Sequence, residues 1–202
     1  MLMRFPLPAA ALKKAGFLLV LPLLMSCEDS LDKLYPKAQP VQLPAETKSG
    51  ANVFGCLLNG NVWEANNTAT LTGKVLTPSA TYRHGELRID AFRRLQVAGP
   101  VTNIHFAVAG VTKPGVYQLG QEEGTSSSFA TLKTASGSVE YATTTQQTGT
   151  LVITRLDTTG ARPVVAGRFE LRAAPAQGAP LNADLPAQVQ ISEGRFDIQL
   201  AR

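Results

Sequence analysis

His84 and His105 are the only two histidines in the 202-residue chain, and neither stands in a pattern that ligates a metal or activates a nucleophile. The chain contains no H-x-x-x-H, no H-E-x-x-H and no G-x-S-x-G segment, the spacings that metal ligation or a nucleophile elbow would need. Glu122-Glu123 is a carboxylate pair in sequence only. Neighbours on an extended chain face opposite ways, and Gly120 and Gly124 bracket the pair as a solvated loop. Glycoside hydrolysis requires two carboxyls about 5–10 Å apart, and no motif here sets that distance. A calcium loop of the D-x-D-x-D-G type is likewise missing from the sequence. Cys56 follows Gly55 inside an apolar run and reads as a buried, inert thiol. Trp63 reads as a core anchor; the alternative is that it lines a ligand groove, with Tyr82 and His105 as further candidate lining residues. The expectation is a protein with no catalytic residue, no cofactor and no metal, and therefore not an enzyme.

The elements that must position these residues read as strands. Val53–Leu58 is an apolar run that meets Asn59-Gly60 and resumes at Val62-Trp63, which is the strongest short hairpin signal. His84-Gly85 separates Ser79–Arg83 from Glu86–Leu95 as a second tight turn. Ile104, Phe106 and Val108 alternate with Asn103, His105 and Ala107, the period of two that a half-buried strand shows. Further strands are predicted at 116–119, 128–134, 138–143, 149–156, 164–173 and 188–200. No window of the chain after residue 26 longer than about ten residues has helical periodicity, and Thr, Val and Gly dominate, as strands and turns require. The expected fold is all-β, a single antiparallel β-sandwich or barrel-like domain over residues 50–202. A domain of that size buries about 68–70% of its unfolded surface, so it needs neither disulfide nor metal to fold.

One internal echo stands inside that domain. Gly167-Arg168-Phe169-Glu170-Leu171-Arg172 repeats in type as Gly194-Arg195-Phe196-Asp197-Ile198-Gln199. Two copies do not make a solenoid; they predict two equivalent sheet positions, with the glycine marking a bulge or a close backbone approach.

The N-terminus carries the address. Arg4, Lys13 and Lys14 precede the uncharged run Ala15–Leu24, and Met25-Ser26-Cys27 follows. A charged region, about ten apolar residues and a small residue before the cut make a secretory signal. Ten residues span about 15 Å as a helix, half a bilayer core, and Pro22 interrupts them, which argues against a permanent membrane span. Leu24-Met25-Ser26-Cys27 resembles the lipobox of bacterial lipoproteins. That resemblance implies residues 1–26 as signal peptide, cleavage before Cys27 and a diacylglyceryl group on the Cys27 thiol, inserting the chain's end in a bilayer. The alternative is an ordinary secreted protein cut elsewhere. Removal of residues 1–26 takes three cations and no acid, leaving 16 basic against 15 acidic side chains. Arg93-Arg94 is the only basic doublet after that cut, so no concentrated positive patch points to nucleic acid.

Glu28, Asp29 and Asp32, directly after the cysteine, resemble the surface-export signal of Bacteroidota lipoproteins; the alternative is a solvated tail. Pro36, Pro40 and Pro44 make residues 27–49 a semi-rigid linker. Its 22 residues from Glu28 to Ser49 reach roughly 70 Å. Asp29-Ser30-Leu31 and Asp157-Thr158-Thr159 are similar to the O-glycan acceptor of Bacteroidota envelope proteins. Taken with Gly50–Trp63, Gly149–Asp157 and the closing strands, the chain resembles a family of uncharacterised small Bacteroidota lipoproteins. The resemblance implies an outer-membrane or cell-surface location, or otherwise a periplasm-facing one, and an all-β domain; it supplies no activity and no site residues. The expected function is a non-catalytic binding or structural module of the envelope, contacting a glycan, peptide or protein. A β-barrel-type carrier with an apolar cavity lined by Ile104, Phe106 and Leu132 is the alternative, and a hydrolase using His84 or His105 the third reading.

Overall fold

The computed structural model describes residues 42–120, 129–133, 139–176 and 186–201. Cys27, Glu28, Asp29 and Asp32, the whole signal peptide and Glu122-Glu123 lie outside the described residues.

Thirteen strands and no helix form among the described residues. The first six are β1 (Val53–Leu58), β2 (Asn61–Glu64), β3 (Asn66–Asn67), β4 (Val75–Leu76), β5 (Ser79–Arg83) and β6 (Glu86–Arg94). The middle of the chain supplies β7 (Val101–Val108), β8 (Gly115–Leu119), β9 (Phe129–Lys133) and β10 (Glu140–Ala142). Three long strands close it: β11 (Gly149–Asp157), β12 (Val164–Pro175) and β13 (Val189–Ala201). The expected turns hold in detail. Asn59 and Gly60 take φ of 49° and 79°, His84 and Gly85 take 51° and 83°, the two consecutive positive values that match a turn to the twist of its strands. The two-residue strands β3 and β4 have no signal in the sequence, because two residues carry no period.

The strands form two layers. One runs β2-β1-β13-β12-β11-β8. The other runs β5-β6-β7-β9-β10. They join at two corners, where Leu200 and Ala201 of β13 pair with Ala80 and Thr81 of β5, and where Tyr141 and Ala142 of β10 pair with Pro175 and Ala174 of β12. β2 and β8 end the sheet path, so the sheet does not close on itself. The result is an all-β, sandwich-like domain. Pairing is antiparallel except for β13 with β5 and β3 with β6, which are parallel.

Aromatic rings fill the space between the layers. Phe169 of β12 sits at the centre, its ring 4.7 Å from Phe54, 5.0 Å edge-on from Phe106 and 6.3 Å from Phe196. These are the offset and edge-to-face distances aromatic pairs prefer. Phe106 comes from one layer and Phe54, Phe169 and Phe196 from the other, so the cluster is what holds the layers face to face. The echo segments explain this convergence: they pair with each other, Gly167 opposite Phe196, Arg168 opposite Arg195 and Phe169 opposite Gly194.

Candidate functional site

The compact unit begins at Gln42, eight residues before the expected boundary at 50, because the end of the expected linker is fastened to the outer face of β13. Asp197 is the fastening. Its carboxylate is fully buried and accepts hydrogen bonds from Thr47 Oγ1 (2.6 Å) and from the backbone N–H groups of Ser49 (2.8 Å), Gly50 (2.7 Å) and Ala51 (3.1 Å). Burial pushes the carboxyl up, but the Thr47 hydroxyl and the three amides outweigh burial and hold it below the ordinary carboxylate range. Pro44 then lies on Gly55, where an ideal Cβ would fall 2.9 Å from its Cγ. Residues 44–51 are thus a strap on the domain.

The strap forms one wall of a cleft. Outward-facing side chains of three neighbouring strands, Thr150 and Val152 on β11, Arg168 and Glu170 on β12 and Arg195 on β13, surround a volume of about 430 Å³ that Glu46 of the strap closes on one side. A bulge shapes it. Between the pairs Phe169–Gly194 and Leu171–Ile191, β13 has one residue more than β12, and Glu193 takes a φ of 51°; such a bulge bends the strand and re-aims its side chains. Arg168 and Arg195 are directly opposite across the ladder, an arrangement that like charges tolerate only with counter-charges nearby. Glu46 supplies one, its Oε2 accepting from Arg168 Nε (2.9 Å) and Nη2 (2.6 Å). The Arg168 guanidinium holds the Glu46 carboxyl below its usual range, and Glu46 raises Arg168 in turn. Arg195 is held more loosely, with Nε 3.3 Å from the Glu193 carbonyl, Nη1 3.4 Å from the Pro44 carbonyl and Nη2 3.6 Å from the Glu193 carboxylate. A second hollow of about 340 Å³ continues along the same face, lined by Thr148, Thr150, Glu170, Arg172, Gln190 and Ser192. The face therefore offers donors and acceptors in rows and three arginines, Arg168, Arg172 and Arg195, with Val152 and Phe169 as apolar floor at one end, which suits a hydroxyl- or carboxylate-bearing ligand.

The three residues expected to line a groove stand in three different settings among the described residues. Trp63 is 2% exposed, edge-on to Phe54, and donates from Nε1 to Thr102 Oγ1 at 2.7 Å; it is the core anchor. Tyr82 packs against the core and donates its hydroxyl to the Val111 carbonyl at 2.7 Å. His105 stands on the opposite, outer face of its layer, its Nδ1 2.7 Å from Asp90 Oδ1. Asp90, His105 and Thr131 are neighbours in one row across β6, β7 and β9, an acid–imidazole pair that sequence spacing of 15 residues did not reveal. Burial pushes the Cys56 thiol up to about 12, so it stays protonated and unreactive at neutral pH. Among the described residues no group of three or more His, Cys, Asp or Glu side chains is placed to hold a metal, and no helix is long and apolar enough to cross a membrane. Ile104 and Phe106 are fully buried, and the Phe106 ring packs against Phe54 and Phe169.

Sequence reasoning missed the cleft. The echo marked Arg168 and Arg195 as equivalent sheet positions, but only the register that sets them opposite each other, and the strap that brings Glu46, make them a site. No family model, no curated protein and no solved structure matches this chain.

Proposed function

We propose that the chain is a lipid-anchored protein of the bacterial outer membrane or cell surface, and that its β domain is a non-catalytic binding module for an envelope glycan, peptide or protein. The observation that carries the binding role is the cleft between Glu46, Arg168 and Arg195, with its polar continuation along β11, β12 and β13. A cleft with charge-assisted donors at one end and a polar continuation along the sheet recognises an extended polar chain by many weak contacts. The lipobox-like Leu24–Cys27 segment carries the anchoring role, since an acylated end plus a tether keeps a domain at a membrane without a spanning helix. Aromatic packing around Phe106 favours this reading over a carrier whose cavity would include that side chain.

Two measurements test it. Surface proteolysis of intact cells compares the wild type with Cys27→Ala and with Glu28, Asp29 and Asp32 neutralised. Release of the Cys27→Ala chain from the membrane fraction is expected, and protection of the neutralised variant marks the acidic cluster as an export address. Binding of the purified chain to isolated envelope polysaccharide is expected to fall on Arg168→Ala and Arg195→Ala. Turnover of an envelope substrate, abolished by replacing one residue such as His105, overturns the non-catalytic assignment.

A further inference from the structure

Six large apolar side chains stand out in solvent at one end of the domain: Leu71, Val75, Leu76, Leu95, Val97 and Val101. They belong to two segments separated in sequence, the β3–β4 connection with β4, and the β6–β7 connection with the first residue of β7. Thr68 ties the segments together, its backbone N–H donating to the Arg94 carbonyl at 2.9 Å and its hydroxyl to the Leu95 carbonyl at 3.0 Å. Leu71 is fully exposed and Val97 is 72% exposed. A concentration of this kind in a folded domain marks a contact surface.

The charge around the patch says what it contacts. Residues 65–78 and 91–102 include Lys74, Arg93 and Arg94 and not one Asp or Glu. Glu64, at the end of β2, is the acid adjoining the patch, and it is bound to Lys74 at 2.6 Å. Apolar tips with Lys74 and Arg94 beside them match the boundary between acyl chains and anionic headgroups, where long cationic side chains keep their stems apolar and their heads among phosphates, while Arg93 turns its guanidinium to the Val62 carbonyl.

The strap begins beside the same place. Pro44, where the strap begins, lies on Gly55. Gly55 is the ladder partner of Glu64, and Glu64 holds Lys74 of the patch. Cys27 precedes Gln42 by only 15 residues, a span of at most about 54 Å. We propose that the two connections at this end, led by Leu71, Leu95 and Val97, rest in an anionic lipid surface, so that the anchored domain is docked on its membrane by a second contact. The inference rests on the proposed acylation of Cys27.

The test uses the full chain, processed and acylated in cells, reconstituted into vesicles of phosphatidylglycerol and phosphatidylcholine. Cys27 is acylated and Cys56 buried, so a single added cysteine takes an environment-sensitive fluorophore: Val97→Cys in the patch, or Arg83→Cys at the other end of the β5–β6 hairpin. Vesicles carry a nitroxide quencher at the headgroup boundary. The Val97 label is expected to shift to the blue and to lose most of its intensity to the quencher, the Arg83 label to do neither. Leu71→Asp with Leu95→Asp is expected to abolish the Val97 response, and phosphatidylcholine alone to weaken it. A chain that floats with the vesicles while Val97 and Arg83 respond alike overturns the docking inference and leaves the anchor standing. A chain that does not float overturns the anchor, and the docking with it. A Val97 response equally strong without vesicles shows contact between chains instead, and also overturns the inference.

Discussion

The ring of Phe169 occupies the place a side chain at Gly194 would take: an ideal Cβ on Gly194 falls 2.5 Å from Phe169 Cδ2 and Cε2. The relationship is reciprocal across the ladder, for an ideal Cβ on Gly167 falls 2.8 Å from Phe196 Cζ. Each copy of the Gly-Arg-Phe echo thus removes a side chain where its partner inserts a ring. Phe169 is also the ring that touches Phe54 and Phe106, so the pair sets how closely the two layers approach.

Gly194→Ala is therefore expected to overpack the centre of the sandwich and to destabilise the domain by about 1–3 kcal/mol. Gly167→Ala meets the Val152 backbone carbonyl first and the rim of the Phe196 ring next, and follows the same sign. Urea unfolding of the two variants measures both. An unchanged midpoint for Gly194→Ala would show that the Phe169 ring moves aside without cost.

Asp197→Asn leaves the side chain's shape and removes its charge. Hydrogen bonds to a charged acceptor are worth about 1.5–3 kcal/mol each, so the loss is expected to reach a few kcal/mol and to release the strap. Limited proteolysis between residues 44 and 51, silent in the wild type, is expected to become fast in the variant.

The same carboxylate sets an acid dependence. Its folded-state pKa lies below the ordinary value, so its contribution is fully present above the unfolded carboxylate pKa of about 3.9 and is lost as pH falls through the folded value. Glu46 and Asp157, both also lowered, add the same sign. Stability is expected to be flat from neutral pH down to about 5 and to fall below about 4, with a shallower fall in Asp197→Asn. Urea midpoints at stepped pH give the comparison.

Arg168→Ala and Arg195→Ala are expected to weaken binding of an acidic envelope polysaccharide by about tenfold or more each, as the loss of charge-assisted hydrogen bonds implies. Arg168 is well exposed, so the melting transition should move little, by less than about 0.5 kcal/mol. Titration calorimetry beside thermal unfolding separates the two effects.

Cys56, fully buried and held protonated, is expected to resist maleimide in the native state at neutral pH and to react promptly in urea. Native labelling at the rate of a free thiol would mean that β1 opens locally.

Local chemistry accounts for what could be read without coordinates. Asn59-Gly60 and His84-Gly85 adopt the positive φ values that their turn requires, and the alternation around Ile104 places its faces correctly, because both signals arise between neighbours in the chain. The two-fold likeness of 167–172 and 194–199 was legible too, along with the close approach of its glycines. By itself, then, the sequence determined the longer strands, the two tight turns and the all-β class, whereas the address at the lipobox-like Leu24–Cys27 segment is a proposal. Only the tertiary structure decided that the echo segments pair with each other, that Asp197 holds the strap, that Asp90 stands beside His105, and that Glu46, Arg168 and Arg195 form one cleft. Those partners lie 15 to 150 residues apart, and only strand register and a bulge bring them together. Trp63 shows the limit from the other side: its type allowed a groove or a core, and the neighbouring Phe54 ring and Thr102 hydroxyl put it in the core.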